Sequence, residues 1–396
     1  MTPANHKFAN LRIALVHYWM VNHGGGERVL EALAELFPHA DVFVVVADPK
    51  TVSPEILRHR LKTSFLQHIP GSVRYYRHFL PLYPIALEGL DLSSYDLVIS
   101  HESGPAKGVI TRPDALHICY CSSPMRYIWD MSAEYRNDMN RVTRSIFSVA
   151  SNYMRMWDFV SASRVDHFVA NSNFVASRIT KYYRRECTVI YPPVDVSSAL
   201  VSSTTDDYYL MVGRLARYKR VDLAIAAFNE NGRCLRIVGE GPLRRSLQKQ
   251  ARSNIYFLGR LSDHEIREQY SRCRALVFPG QEDFGIVPVE AQAFGKPVIA
   301  YGAGGALDTV IPVQAGINSA EFATGILFHP QDPAALASAI RFFEEQEGRF
   351  RPDYIRSHAL QFSVGEFKRK ISKHVADCAV HSAAKSSVPW KSPIPA

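Results

Sequence analysis

Between residues 11 and 191, and again between residues 208 and 328, short apolar runs alternate with longer amphipathic ones. A strand buried on both faces reads as a continuous apolar run, and its parallel neighbour is reached only through a crossover of a dozen or more residues. This alternation therefore marks βα units. The first series predicts strands over residues 11–17, 41–46, 96–100, 116–121, 167–170 and 188–191, with helices over 27–36, 71–87 and much of 138–162. The second predicts strands over 208–212, 235–238, 255–257, 275–278, 297–300 and 326–328. The expected fold is α/β: two doubly wound lobes with ligands in a cleft between them, off the carboxyl ends of the strands.

The two series are separated by Pro192-Pro193-Val194-Asp195 and a Ser/Thr-rich stretch through Asp207, a composition that packs poorly and reads as a linker. The expected organisation is an N-terminal lobe over 1–195, a C-terminal lobe over 196–350, a closing helix over 351–379 and a loose tail over 380–396. A chain of 396 residues, 47% hydrophobic, can bury two cores of that size, which excludes a disordered or fibrous class. No apolar run approaches the ~18 residues needed to span a bilayer, and residues 1–10 lack a signal-peptide pattern. A cytoplasmic protein that can touch a membrane surface is expected. The six cysteines have neither zinc-site spacing nor the density of a disulfide scaffold, so they are expected to be reduced and mostly buried. A net charge of +8 favours an anionic partner, leaving nucleotide phosphates, anionic lipids and nucleic acid open.

Candidate chemistry falls just after predicted strands. Gly24-Gly25-Gly26-Glu27-Arg28 opens the first helix, where consecutive glycines let backbone N–H groups approach an anion and the helix dipole favours it. The loop is neither G-x-G-x-x-G nor a Walker motif, and a plain tight turn remains an equal reading. In the second series, residues 208–212 run into Gly213-Arg214-Leu215, with Lys219 close behind; two cations at a strand end can neutralise a leaving diphosphate, or form a solvated basic turn. Gly239-Glu240-Gly241-Pro242 follows the next strand. Glu282 lies in a loop, where it can accept from sugar hydroxyls, and Glu290 lies eight residues on. Glu290 stands within the otherwise apolar helix 286–294, where an unpaired carboxylate is costly.

These residues, in this order and lobe placement, resemble the retaining nucleotide-sugar glycosyltransferases of family 4, over residues 11 to 362. Within that family, Cys121-x-x-Pro124-Met125-Arg126-Tyr127-x-Trp129-Asp130 and Tyr218-Lys219-Arg220 are similar to a bacterial mannosyltransferase group of O-antigen and exopolysaccharide synthesis. The resemblance implies a GT-B fold, no cofactor and no metal, and a nucleotide-sugar donor, GDP-mannose first, held mostly by the C-terminal lobe. It implies that Arg214 and Lys219 clamp the diphosphate, Glu282 meets the transferred sugar and Glu290 the ribose. Donor contacts are further expected at Gly25, Gly26, Gly239, Gly241, Phe284, Gly285, Ile286 and Val287. One departure stands out. The group carries Cys-His-x-Pro where this chain has Cys121-Ser122-Ser123-Pro124, while a histidine, His101, ends the preceding strand. Both strand ends are expected to open toward the cleft, so His101 is the candidate for the role missing at Ser122; the alternative is an ordinary strand-end histidine bonded to backbone.

From Ile56 to Leu87 there is no Asp or Glu, while Arg74 and Arg77 stand among Phe65, Tyr75, Tyr76, Phe79 and Tyr83. Cations interleaved with aromatic rings suit an anionic membrane interface; a solvated helix face over core aromatics comes second, and nucleic acid is set aside. Arg74, Arg77 and Arg126 are the acceptor or membrane candidates. The expected activity is transfer of a hexose, mannose first, to a lipid-linked or surface-glycan acceptor at the inner face of the membrane. The rival classes are a non-catalytic nucleotide-sugar-binding partner in glycan assembly and a nicotinamide oxidoreductase, which lacks its dinucleotide fingerprint here.

Overall fold

The computed structural model describes residues 8, 10–22, 24–137, 139–202, 204–314 and 319–385. They fall into two compact units, one of residues up to 193 together with those from 367 on, the other of residues 194–366. The first unit is built on a seven-stranded sheet in the order β3-β2-β1-β4-β5-β6-β7. Its strands are β1 Ile13–Met20, β2 Asp41–Ala47, β3 Leu61–Thr63, β4 Leu97–Glu102, β5 Leu116–Cys121, β6 His167–Ala170 and β7 Cys187–Val189. The second unit carries β8 Tyr209–Val212, β9 Leu235–Val238, β10 Ile255–Gly259, β11 Leu276–Phe278, β12 Val298–Tyr301 and β13 Gly325–Phe328, ordered β10-β9-β8-β11-β12-β13. Every pairing between these strands is parallel.

Both sheets are doubly wound. The chain adds strands outward on one side of the first strand, then crosses to the other side, so each sheet has one topological switch point: β1 against β4 in the first unit, β8 against β11 in the second. The crevice outside the carboxyl ends of those two strands is where open α/β sheets take ligands. Packing follows from the runs read in the sequence. In the first unit Val16, Phe43 and Val45 meet Leu66, Tyr83 and Leu87, and in the second Met211 and Ile237 meet Phe228, Leu336 and Phe343.

The differences from expectation have local causes. The helix expected over 71–87 is broken into Ser72–Tyr75, a 3-10 stretch Tyr76–Leu82 and Tyr83–Glu88, because Pro81 and Pro84 cannot donate within a continuous helix. Its aromatics divide: Tyr83 is buried, Tyr76 and Phe79 are half-buried, and Phe65 and Tyr75 are exposed. β3 was not foreseen. The stretch read as a linker is tied down instead, since Asp195, Asp206 and Asp207 pair with Arg267, Arg272 and Arg274 and the Ala199 carbonyl accepts from Arg356. Residues 351–379 are two helices, Pro352–Ala359 and Val364–Lys385, rather than one. The second of them runs five residues past the point, 380, where a loose tail was expected to begin.

One polar cluster is built into the core of the first unit. Lys107 Nζ meets Asp158 Oδ1 with both side chains fully buried, and Asp158 Oδ2 accepts from Trp129 Nε1 at 2.7 Å and Tyr183 OH at 2.9 Å. All six cysteines are free thiols, four of them buried.

Candidate active site

In the second unit the loops after β8 and β11, on either side of the switch point, bring two of the expected residues together. Lys219 Nζ, at the end of a 3-10 turn after β8, pairs with Glu282 Oε1 in the loop after β11. Both side chains are largely shielded, with 12% and 19% of their surface exposed, so the pair sits in the crevice wall. Backbone packed on backbone fixes these loops. A Cβ on Gly239, whose φ is +133°, would lie 2.0 Å from the Gly213 carbonyl oxygen, and one on Gly241 would lie 2.4 Å from that of Leu215. Gly280 likewise packs against Tyr218 and the Lys219 backbone, and Gly305 N donates to the Glu282 carbonyl at 2.8 Å. Arg214 lies between Gly213 and Leu215, exposed; its carbonyl accepts from Ala216 N at 2.8 Å, while its guanidinium makes no hydrogen bond or ion pair among the described residues.

Phe284 is buried and leads to Gly285, whose φ of +91° turns the chain into the helix Ile286–Ala293. No side chain caps this helix, and its first N–H groups, on Ile286 and Val287, have no intrahelical acceptor. Glu290 is half-buried within it and its Oε2 accepts from Tyr270 OH at 2.8 Å, so the carboxylate that looked costly in an apolar helix has a partner. Tyr270, the Glu290 partner, was not singled out in the sequence.

The first unit holds a second cluster at its own switch point. His17 on β1 and His101 on β4 are register partners, with rings stacked at 5.0 Å and Nδ1 to Nδ1 at 3.1 Å. His101 Nε2 lies 2.9 Å from Ser122 Oγ, so the expected closeness of His101 and Ser122 is observed. A contact between two Nδ1 atoms needs one protonated and one bare nitrogen, so two neutral rings must be of opposite tautomer. Burial keeps them neutral, pushing His17 down to about 3 and His101 well below its usual range. Gly26 stands beside them: a Cβ there would meet Tyr18 OH at 3.4 Å, His101 Cε1 at 3.5 Å and His17 Cε1 at 3.9 Å. His17 Nε2 is buried with no hydrogen-bond partner among the described residues. Gly25, beside Gly26, begins the helix Gly25–Leu36. His17 was visible at a strand end, but only the parallel register pairs it with His101.

The remaining candidates in the first unit are separate from that cluster in sequence and contacts. Arg74 and Arg77 are exposed and lie over the rings of Tyr75 and Tyr76. Arg126 is half-buried, near Met131. The loop around it is clamped by Arg178, which donates to Ser123 Oγ at 2.8 Å and Asp130 Oδ1 at 2.6 Å.

The buried histidines make stability depend on acid. His17 and His117, the latter lowered by burial to about 4, are neutral in the folded protein, whereas the unfolded chain protonates them near 6.5. The unfolded state therefore binds more protons below that value. Stability is full above about pH 6.5 and falls as the pH drops, each histidine costing about 2 kcal/mol at pH 5. The melting midpoint is expected to fall by several degrees from pH 7 to pH 5; a constant midpoint would contradict neutral, buried rings.

The two doubly wound units share the GT-B fold. Residues 23–198 match the model of Glycosyltransferase Family 4 and residues 196–359 that of Glycosyl transferases group 1. The chain belongs to these glycosyltransferases, one family domain on each unit. Among its relatives, O-antigen chain mannosyltransferase C of Escherichia coli is 25% identical over 387 residues, covering 88% of this chain and 95% of that protein. O-antigen chain mannosyltransferase RfbU of Salmonella typhimurium is 28% identical over 57% of this chain and 64% of its own length. The solved structure of Anabaena Alr3699/HepE in complex with UDP shares the fold, with a TM-score of 0.67 at 18% identity over 93% of this chain and all of that one. Among the described residues no helix is long and apolar enough to cross a membrane.

Proposed function

We propose that the chain transfers mannose from GDP-mannose, with retention of anomeric configuration, to a lipid-linked or surface-polysaccharide acceptor at the inner face of an anionic membrane. The observation that carries this reading is the Lys219–Glu282 pair at the switch point, beside exposed Arg214 and the uncapped helix at Ile286. Two cations and free N–H groups suit a diphosphate, whose charge grows as it leaves. Glu282 accepts from a hydroxyl of the transferred sugar and Glu290 from the ribose. Departure assisted by Arg214 and Lys219, with the acceptor hydroxyl attacking from the same face as the anomeric C–O bond to phosphate breaks and its proton passing to the leaving phosphate, gives retention without an enzymic nucleophile. No metal is required on this reading, and excess chelator is expected to leave the rate unchanged. The mannosyl donor and the O-antigen type of acceptor are supported by the named relatives.

A thermal-shift screen of GDP, UDP, ADP and their sugars tests the donor, since a ligand that binds only the folded state raises its stability by RT ln(1 + [L]/Kd). GDP and GDP-mannose are expected to give the largest shifts. A larger shift with UDP or ADP sugars would contradict the choice of donor, and no shift with any of them would contradict the site.

His101 is proposed to act on the reacting sugar or the leaving diphosphate as a neutral hydrogen-bond donor, its Nε2–H turning from Ser122 Oγ to the ligand when the donor binds. His101→Ala is expected to lose most activity and, because the buried ring bonds both His17 and Ser122, to lower the melting midpoint as well; Ser122→His in that background is expected to restore part of the activity. Full activity in His101→Ala would return His101 to a packing role.

A further inference from the structure

The helix Arg141–Ser161 carries two seams on opposite faces. Its buried residues are Ser151, Met154, Asp158 and Ser161, and this seam docks on the first unit: Met154 packs with Met125 and Ile128, and Asp158 joins the Lys107 cluster. The outer seam is apolar. Val142, Ile146, Val149, Tyr153, Met156 and Val160 are 71%, 65%, 74%, 43%, 57% and 56% exposed. Their spacing of four, three, four, three and four residues makes a single stripe along a helix about 31 Å long. A monomer surface rarely leaves so continuous an apolar strip uncovered.

Charge selects what covers it. The helix carries Arg141, Arg144 and Arg155, and its one acidic residue, Asp158, is buried against Lys107. Arg144 donates to the carbonyls of Arg136 and Met139, which leaves its charge uncompensated. A second copy of the same helix would bring like charges together, whereas lipid headgroups supply the opposite sign. The basic, aromatic segment also abuts this helix: Leu80 and Trp157 pack against the Met125, Ile128 and Met154 cluster, Trp157 Nε1 donates to Glu88 at 2.9 Å, and nearby Ile85 is 60% exposed.

We propose that the outer face of Arg141–Ser161 lies in the headgroup layer of an anionic bilayer and is the element that docks the protein there. The helix is too polar to span, and an apolar stripe with arginines on the polar face is how a helix rests in the plane of the interface. The inference rests on the reading of a membrane-borne acceptor and narrows it to one surface. Tyr153, part exposed, supplies a ring at the boundary.

The test is co-sedimentation of the full chain with phosphatidylcholine vesicles, with and without 30% phosphatidylglycerol. The parent is expected to sediment with the anionic vesicles only. Val149→Glu with Met156→Glu is expected to lower partitioning at least ten-fold, and Arg141→Gln and Arg144→Gln about five-fold each, near the ~1 kcal/mol attributed to one cation at such a surface. Because these side chains are exposed, the melting midpoint and its shift with GDP-mannose should stay at parental values. Parental vesicle binding by the glutamate variant, or none by the parent, overturns the proposal; so does a parental dimer in sedimentation velocity that the glutamates dissociate. Vesicle binding that persists while no nucleotide sugar shifts the melt supports the helix and counts against the donor reading alone.

Discussion

Replacing Arg214 or Lys219 by alanine is expected to lower turnover by about 100- to 1,000-fold, the 2.7–4 kcal/mol that loss of one transition-state contact commonly costs. The Arg214 side chain is exposed and bonds nothing among the described residues, so its removal should leave the melting midpoint where it was. Lys219 differs, because Glu282 loses its partner when the ammonium goes. Glu282→Gln separates the two effects: it should depress the rate while the GDP shift persists. The check is kcat at saturating donor together with the melting midpoint. Parental rates in both alanine variants would remove the diphosphate clamp from this account.

Asp158→Ala or Lys107→Ala is expected to destabilise the first unit by about 3–5 kcal/mol, since either change leaves an uncompensated charge where both side chains are fully buried. Asp158→Ala also strands the Trp129 and Tyr183 donors. In urea titrations the double variant Lys107→Met, Asp158→Leu should lose less than the sum of the single losses, because no lone charge remains. Single costs below about 1 kcal/mol, the level of an exposed pair, would contradict the burial. The cluster also explains part of the motif running from Cys121 to Asp130: Trp129 is held by Asp158, and Asp130 by Arg178. Those residues shape the loop that carries Ser122.

What the sequence revealed divides along the range of the interactions. Strands buried on both faces, such as Val42 to Val46, announce themselves locally, and so does the closeness of His101 and Ser122, which needs only that neighbouring parallel strands end together. Lys219 and Glu282 were each legible as residues after a strand, but their pairing depends on β8 lying beside β11, which no local pattern states. His17 stayed unread for the same reason. β3 is three half-buried residues within a basic stretch and carries no apolar run to find. The segment after Pro193 has a linker's composition, yet its aspartates find arginines more than sixty residues away. The helix Arg141–Ser161 has apolar residues on both sides, so periodicity alone does not say which face turns inward.

The central claim is that this chain moves a hexose from a nucleotide sugar, with the diphosphate held by the second unit. Its most direct measurement is turnover of radiolabelled GDP-mannose with a lipid-linked saccharide acceptor, following label into the lipid fraction and the release of GDP in the same samples. The account predicts equal amounts of both for the parent, with an α-linked product, and a loss of both in Arg214→Ala and Glu282→Gln. Release of GDP without transfer to any saccharide acceptor, or full transfer by both variants, would contradict it.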